Sequence, residues 1–537
     1  MTEKLDLKGK DVNPNFSSYL TDESRLVLGK ADKIFFPKNK SELISLVQYC
    51  QEKKIHLTVS GGGTGLTGGR VPLDGWIIAT DQLTTLNERI EKINYFDQEQ
   101  NKSYEISLDI LDESNALLTV PASMTIKAIQ NYVKSVDWFY PPDPTERSAF
   151  IGGAVATNAS GARSFKFGAT REWVYEIAIV LPEGKEISLK RNEHSIIGNN
   201  KIIQLIVDNK KISVPIPDFK PPNVKKNVAG PVIKSSSHIM DLFIGTDGIF
   251  GIINEVTLKL IRPPKDIVSI IIFCKKFDQA IKLIQISQRN REEKKFPIPL
   301  SVELLDENAI SIMRRKNSIP DKTKAIIYLE QDVYSEDEMD KILDNWSMIF
   351  DKLGIEKTWV ETNYAGIEKH KEFRHALPET VNHIVRTNGQ PKLGTDYSVP
   401  EEKILDLFTL SFSLGKKFQD YQNEKDLINK NPGYAIWAHA GDNHVHLNFL
   451  PRNDSETQFA KSLMVDMMKK IVAMGGSISA EHGLGKKVFN GIPALYYQYS
   501  KNEIDQIWAI KSIIDPNNIL NPNSLLGSKK KDYLFTN

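Results

Sequence analysis

The sequence predicts an α+β protein of at least two domains, not a single doubly wound sheet. Three observations carry that reading. The chain has 537 residues, more than one ordinary core accommodates. Its glycine loop SGGGTGLTGG (60–69) contains Gly63, Gly65 and Gly68 in a G-x-G-x-x-G pattern. A strand enters that loop, but RVPLDGWIIAT leaves it, and Pro72 and Gly75 interrupt any helix before the next apolar run. Finally, Pro263 and Pro264 separate two strand-like runs, EVTLKLI and VSIIIF, and mark the likeliest boundary.

Taken in order, Leu43, Val47 and Cys50 recur at helical spacing over Ser41 to Lys53. The run Ile55 to Val59 reads as a buried strand, the glycine loop follows, and WIIAT reads as the next strand. A polar stretch that includes 109–113 leads to a strand at Ala116 to Val120 and a helix at Thr125 to Val136. Val174 to Leu189 is a hairpin turning on Pro-Glu-Gly, and the proline-, asparagine- and lysine-rich 217–233 is a loop, mobile or pressed onto a surface. Beyond the prolines come strand VSIIIF, helix AIKLIQISQ and strand LSVELL. A helix at 461–474 closes on Gly475-Gly476, and a last one, Glu503 to Ile514, stops at Asp515-Pro516. The resulting units are an N-terminal extension (1–30), a first domain (31–264), a second (265–527) and a basic tail (528–537).

Composition excludes several functions. Lysine plus arginine (69) balance aspartate plus glutamate (68), so net charge points to neither nucleic acid nor an anionic membrane. Cys50 and Cys274 alone cannot build a disulfide framework or a four-cysteine cluster. With no signal-peptide pattern and no apolar run near the ~20 residues that span a bilayer, a cytoplasmic protein is expected, a place at the inner face of the membrane remaining compatible.

Four stretches exceed what packing requires. Glycines of the 60–69 loop let backbone N–H groups approach a phosphate, which makes the loop a phosphate cradle of a non-Rossmann kind. YPPDPTERSAFIGGAVATNASGARSFKFG (140–168) and GTDGIFGII (245–253) are small-residue runs that admit a large flat ligand. The histidine-rich end holds AHAGDNHVHLN (438–448) and ISAEHGLGK (478–486), and six of the ten histidines lie between His375 and His482. Imidazole with carboxylate suits a divalent metal such as Zn²⁺. His444 and His446 share a face if this is a strand, whereas a turn at Gly441-Asp442 would bring His439 beside His446; spacing does not choose. Adjacent Glu481 and His482 suit a division of labour, metal ligand and proton carrier.

With these segments in view the chain resembles the FAD-linked oxidases of the vanillyl-alcohol oxidase superfamily, in the branch of glycolate, D-lactate and D-2-hydroxyglutarate dehydrogenases. SGGGTGLTGG, PPDP with IGGAVATNASG, GTDGIFGIINEVTLKL, AHAGDNHVHLN, GSISAEHGLGKK and DPNNILNP carry the likeness. The resemblance implies a two-subdomain FAD-binding domain of the PCMH type and a C-terminal α+β cap on an antiparallel sheet. It implies that Ser60, Gly61, Gly62, Gly63, Thr64, Gly65, Asp143, Ser148, Gly152, Gly153, Asn158, Gly161, Gly248, Ile252 and Asn521 line FAD. The only histidine near the loop is His56, in the entering strand, so a noncovalent, dissociable FAD is expected. The same likeness makes His439, His446 and Glu481 ligands of a divalent metal, Zn²⁺ first, His482 the base, and Arg374 the grip on a substrate carboxylate. The implied reaction is FAD-dependent oxidation of a D-2-hydroxyacid to the 2-oxoacid by hydride transfer to flavin.

Two departures stand out. GDNHVH replaces the common G-D-G-N-x-H, so Asn443 stands where a glycine does and His444 where an asparagine does; His444 is therefore a candidate substrate contact or competing ligand. Gly394 occupies the place of a lysine before the D-x-S-V-P segment, with Lys392 as its candidate substitute. Alternatives are an alkyl-dihydroxyacetonephosphate synthase-like transferase, whose signature has adjacent histidines where this chain has SAEHG, and a noncatalytic electron-transfer subunit. Expected partners are the hydroxyacid, a separate electron acceptor (quinone, cytochrome or electron-transfer flavoprotein) and, left open, a second copy of the chain, but no nucleic acid.

Overall fold

A computed structural model describes residues 9–12, 14–24, 28–88, 91–191, 202–208, 210–233, 238–315, 317–423 and 432–528. Residues 1–8 of the extension and the basic run Lys529 to Lys531 lie outside the described residues.

The helix expected after Ser41 spans Lys40–Lys53, started by Asn39, whose side chain accepts from the Glu42 amide, and stopped by left-handed Lys54. It buries Leu43, Leu46, Val47 and Cys50 against the first sheet. Each such Leu or Val contributes about 2 kcal/mol by leaving water. That sheet has strands in the order Lys10–Asp11, Lys33–Phe35, Trp76–Ala79, Leu57–Ser60, its last three parallel. The glycine loop therefore joins two neighbouring parallel strands with no helix after it, as the sequence reading required.

The second sheet is antiparallel, ordered Ile93–Asp97, Lys102–Ile110, Asn115–Pro121, Ile252–Ile261, Val174–Val180, Glu186–Lys190. Two of these strands, at 93–97 and 102–110, occupy the stretch read as merely polar. In 103–110 the sequence alternates strictly (SYEISLDI), a period-two signal that the polar composition of the surrounding stretch obscured. A hairpin at Ile202–Val207 and Lys210–Pro215 was likewise not expected.

The C-terminal half is built on an eight-stranded antiparallel sheet. Its centre runs Asp266–Cys274, Ala325–Val333, Ser301–Leu305, Tyr434–His439, His444–Phe449. Helices Phe277–Glu292, Tyr364–Thr387, Ile404–Asn423 and Asp454–Ala473 cover it, the last beginning about two turns before the expected 461.

Two segments cross between the halves. After the final helix, Lys501–Ile514, the chain returns to the first sheet: Leu57 donates to Ile519 O at 2.6 Å and Asn521 to Leu57 O at 2.7 Å. In the other direction, loop 217–233 lies across the C-terminal half, where the Val228 amide donates to Ser479 O at 2.8 Å. No helix among the described residues is long and apolar enough to cross a membrane.

Candidate active site

The strands Tyr434–His439 and His444–Phe449 form a hairpin that pairs His439 with His444 and Trp437 with His446. Because alternate residues share a face, this register sets His439, His444 and His446 together. Both arrangements that spacing left open are realised at once: His444 and His446 are strand neighbours at 4.3 Å between ring centroids, and the turn returns His439 to 5.6 Å from His446. Asn443 makes that turn with φ 51, the left-handed region where asparagine is the best substitute for glycine. Its side chain donates to Pro400 O and Glu401 O and accepts from Gln288, which fixes the hairpin tip.

Glu481 and His482 arrive on the loop after Gly475-Gly476. Asp396 anchors this loop, accepting from the amides of Glu481 and His482 and from Ser479 Oγ. Glu481 Oε1 then lies 3.3 Å from His439 Nε2 and 3.4 Å from His446 Nε2. Ligand atoms at ordinary Zn²⁺ bond lengths in a tetrahedron are about 3.4 Å apart, so these two separations suit such an ion, and all the ligand atoms of the group lie within 4.8 Å of one another.

The outer contacts fit equally well. His439 Nδ1 meets Glu303 Oε1 at 2.7 Å and His446 Nδ1 meets Thr395 O at 2.9 Å, leaving both Nε2 atoms to face inward. Glu481 Oε2 accepts from Lys226 Nζ at 3.1 Å, and the same ammonium donates to Gly161 O at 2.9 Å. Burial opposes the charge on Glu481, yet Lys226 and His439 outweigh it and hold the carboxyl well below the usual range. For His439 burial also works downward, and Glu303 more than offsets it, to about 9. Burial lowers His482 to about 4, so its imidazole is neutral near pH 7 and able to accept a proton.

His444 differs from the expectation that it touches substrate. It is fully buried, lines neither cavity described below, and turns to the metal-type group, with Nδ1 3.9 Å from Glu481 Oε2. Its Nε2 is 2.8 Å from Asp396 Oδ1 but off hydrogen-bond alignment.

Two cavities meet at Glu481 and His482. The smaller, ≈ 280 Å³, is lined by Gly61, Gly62, Gly63, Thr64, Gly65, Gly152, Gly153, Gly248, Ile252 and Asn521. The amides of Gly62, Gly63, Thr64 and Gly65 bond to no other group among the described residues, and a Cβ on Gly153 would meet no protein atom within 4 Å. Free amides beside bare backbone are what a dinucleotide's phosphates and flat rings require, so the cradle fits FAD. Asn521 closes its floor, accepting from Val59 and donating to Asp247 O.

Five expected FAD contacts stand behind this lining. Ser60 bonds to Arg70, Asp143 pairs with Arg147 and Arg163, and Ser148 bonds to Glu146. Asn158, at φ 50, accepts from the Arg171 amide, and Gly161 presses so closely on Asp143 O that a Cβ would sit 2.0 Å away. His56 is turned to Asp74 at 2.8 Å and lines neither cavity.

The larger cavity, ≈ 720 Å³, holds Arg374, Lys392, His439, His446, Glu481 and His482 in its wall. Arg374 sits on helix Tyr364–Thr387 and gives Nη2 and Nε to Glu303 Oε2, so Glu303 bridges it to His439. Burial would push Glu303 up, but His439 and Arg374 bring it to about 2. Lys392 Nζ stands 5.5 Å over the Trp437 ring. Sequence reasoning missed Lys226, Glu303, Thr395 and Asp396. A lone acid in the apolar strand LSVELL was a usable signal for Glu303, whereas nothing local singled out Lys226.

Comparison with known proteins agrees with this architecture. Residues 31–190 match the family described as FAD binding domain, and 263–525 match FAD linked oxidases, C-terminal domain. Among curated relatives, D-lactate dehydrogenase of Anaerostipes hadrus is 26% identical, covering 97% of this chain and 94% of its own. Glycolate oxidase subunit GlcD of Bacillus subtilis is 24% identical over 96% and 93%, and mitochondrial D-2-hydroxyglutarate dehydrogenase of Danio rerio 25% over 94% and 80%. Among solved structures, an alkyldihydroxyacetonephosphate synthase superposes with TM-score 0.57 at 16% identity, covering 91% of this chain and 76% of its own, a likeness of fold. With both family domains matched in order and a glycine cradle meeting a histidine–glutamate group at their junction, the chain belongs to the FAD-linked oxidases.

Proposed function

We propose that this chain oxidises a D-2-hydroxyacid to the 2-oxoacid. The observation that carries the reading is the junction itself: Glu481 and His482 belong to both the glycine cradle and the larger chamber, so an alcohol held beside them faces the cofactor. When bound, FAD supplies the acceptor for the hydride leaving the α-carbon, and a divalent metal, Zn²⁺ first, supplies a Lewis acid that acidifies the hydroxyl.

The chain's own residues do the rest. His439, His446 and Glu481 hold the metal, with His444 behind them. His482, neutral and largely buried at the chamber wall, takes the hydroxyl proton, a contribution of roughly 10² to 10⁴-fold. Arg374 Nη1, which lies 3.4 Å from His375 Nε2, is the guanidinium nitrogen that Glu303 does not engage, and it meets the substrate carboxylate. FAD is held without a covalent bond, because His56 is turned away from the cradle. Cys50 and Cys274 are buried in apolar cores, so electrons pass to a separate acceptor: a quinone, a cytochrome or an electron-transfer flavoprotein. The synthase alternative shares the fold, but a carboxylate, Glu481, stands beside His482 where those enzymes carry a second histidine.

The test is anaerobic mixing of the flavin-loaded protein with D- and L-2-hydroxyacids while the flavin bands are followed. Bleaching by D-acids, lost after chelation and restored by Zn²⁺, is expected. A yellow, metal-loaded protein that no 2-hydroxyacid bleaches would overturn the assignment.

A further inference from the structure

The chamber is larger and more apolar than a two- or three-carbon acid needs. Its ≈ 720 Å³ falls in the range, roughly 300–1,000 Å³, of sites that enclose drug-sized ligands. Part of that space borders the glycine loop at Leu66 and the proline-rich segment at Thr145, so the other wall residues are the more telling feature. There Phe373 and Leu377, one turn apart on the helix that carries Arg374, line the chamber together with Trp437, two residues from His439 on its strand. Val465 and Phe489 also line it. Beside Arg374, His482 and the histidine–glutamate group, Lys392, Lys461, Lys486 and Lys487 also border the chamber, so its lining joins these apolar side chains to cations.

We infer that the substrate is a 2-hydroxyacid with an extended or aromatic apolar side chain, whose carboxylate lies at Arg374 and whose tail lies along Phe373, Trp437, Val465 and Phe489. This deepens the hydroxyacid reading and rests on it. Glycolate and lactate leave that wall wet. A side chain that ends in a second carboxylate is the competing occupant, because Lys392 and Lys461 also border the chamber, and 2-hydroxyglutarate is the arm of the test that reads it. Lys392, at the same wall, presents its charge to the Trp437 ring.

The experiment has two readouts on the flavin-loaded protein. The first is kcat/KM, from flavin reduction, for D-2-hydroxyacids from glycolate and lactate to 2-hydroxyhexanoate, 2-hydroxyoctanoate and phenyllactate, with 2-hydroxyglutarate alongside. The second is calorimetric affinity for the corresponding 2-oxoacids, which needs no turnover. Each methylene buried should raise both by about fourfold, the equivalent of about 0.8 kcal/mol, until the wall is covered. Val465→Trp and Phe373→Ala should each flatten that dependence, lowering the ratio of long-chain to short-chain kcat/KM by at least about tenfold; a general folding defect would lower both together. Affinity that is flat or falls with chain length, or a preference for glycolate, lactate or 2-hydroxyglutarate, overturns the inference. Affinity that rises with chain length in a protein whose flavin is never reduced sustains the chamber and sinks the proposed reaction instead.

Discussion

At the scale of single residues, the site separates groups that do chemistry from groups that hold them. His482→Ala should keep the flavin spectrum and metal content while flavin reduction falls by roughly 10² to 10⁴-fold, read by anaerobic stopped flow. Lys226→Met acts differently. It removes the cation on Glu481 Oε2, so metal affinity should fall about 10- to 100-fold in calorimetric titration, with Lys226→Arg recovering most of it. Short motifs made His439, His446, Glu481 and His482 legible, because each sits beside glycines and acids in a compact pattern. Lys226 and Glu303 were not, since each acts from another part of the chain and its sequence neighbours do not mark it.

Among the elements, the hairpin 434–449 decides whether three imidazoles meet. Asn443→Ala should lower the thermal midpoint by the equivalent of about 2 kcal/mol, combining the strain of a left-handed alanine with lost side-chain bonds, whereas Asn443→Gly, free of that strain, should cost less. A neighbouring element adds a pH dependence. Asp306 caps helix Glu307–Met313 and accepts from the Ile436 amide, and burial raises its carboxyl to about 7. The folded chain then keeps a proton that the unfolded chain releases above about pH 4, so this contribution is full below that value and is lost as pH rises to about 7. Asp306→Asn should flatten that slope in urea midpoints taken across the window. Periodicity revealed the strands and helices with a clear buried face, such as Lys40–Lys53 and Asn115–Pro121. It was passed over at 103–110, where Tyr104, Ile106, Leu108 and Ile110 alternate with polar residues inside a stretch that is polar as a whole.

Over the whole molecule, the two halves are stitched by segments that sequence order does not announce. Residues 515–526 bridge to the first sheet at Leu57 and bring Asn521 to the cradle, so a chain ending at 514 should lose bound flavin on gel filtration. The proline break at 263–264 was readable because it interrupts two strands, but the return of the C-terminus and the strap at 217–233 depend on contacts hundreds of residues apart. That strap has a thermodynamic corollary. Through one ammonium, the carbonyl of Gly161, next to cradle residue Ser160, and the carboxylate of Glu481 share a counter-charge. Any bias that flavin in the cradle exerts on an ion at the histidine–glutamate group would be equal in the other direction, which Zn²⁺ titration of the protein with and without flavin would read.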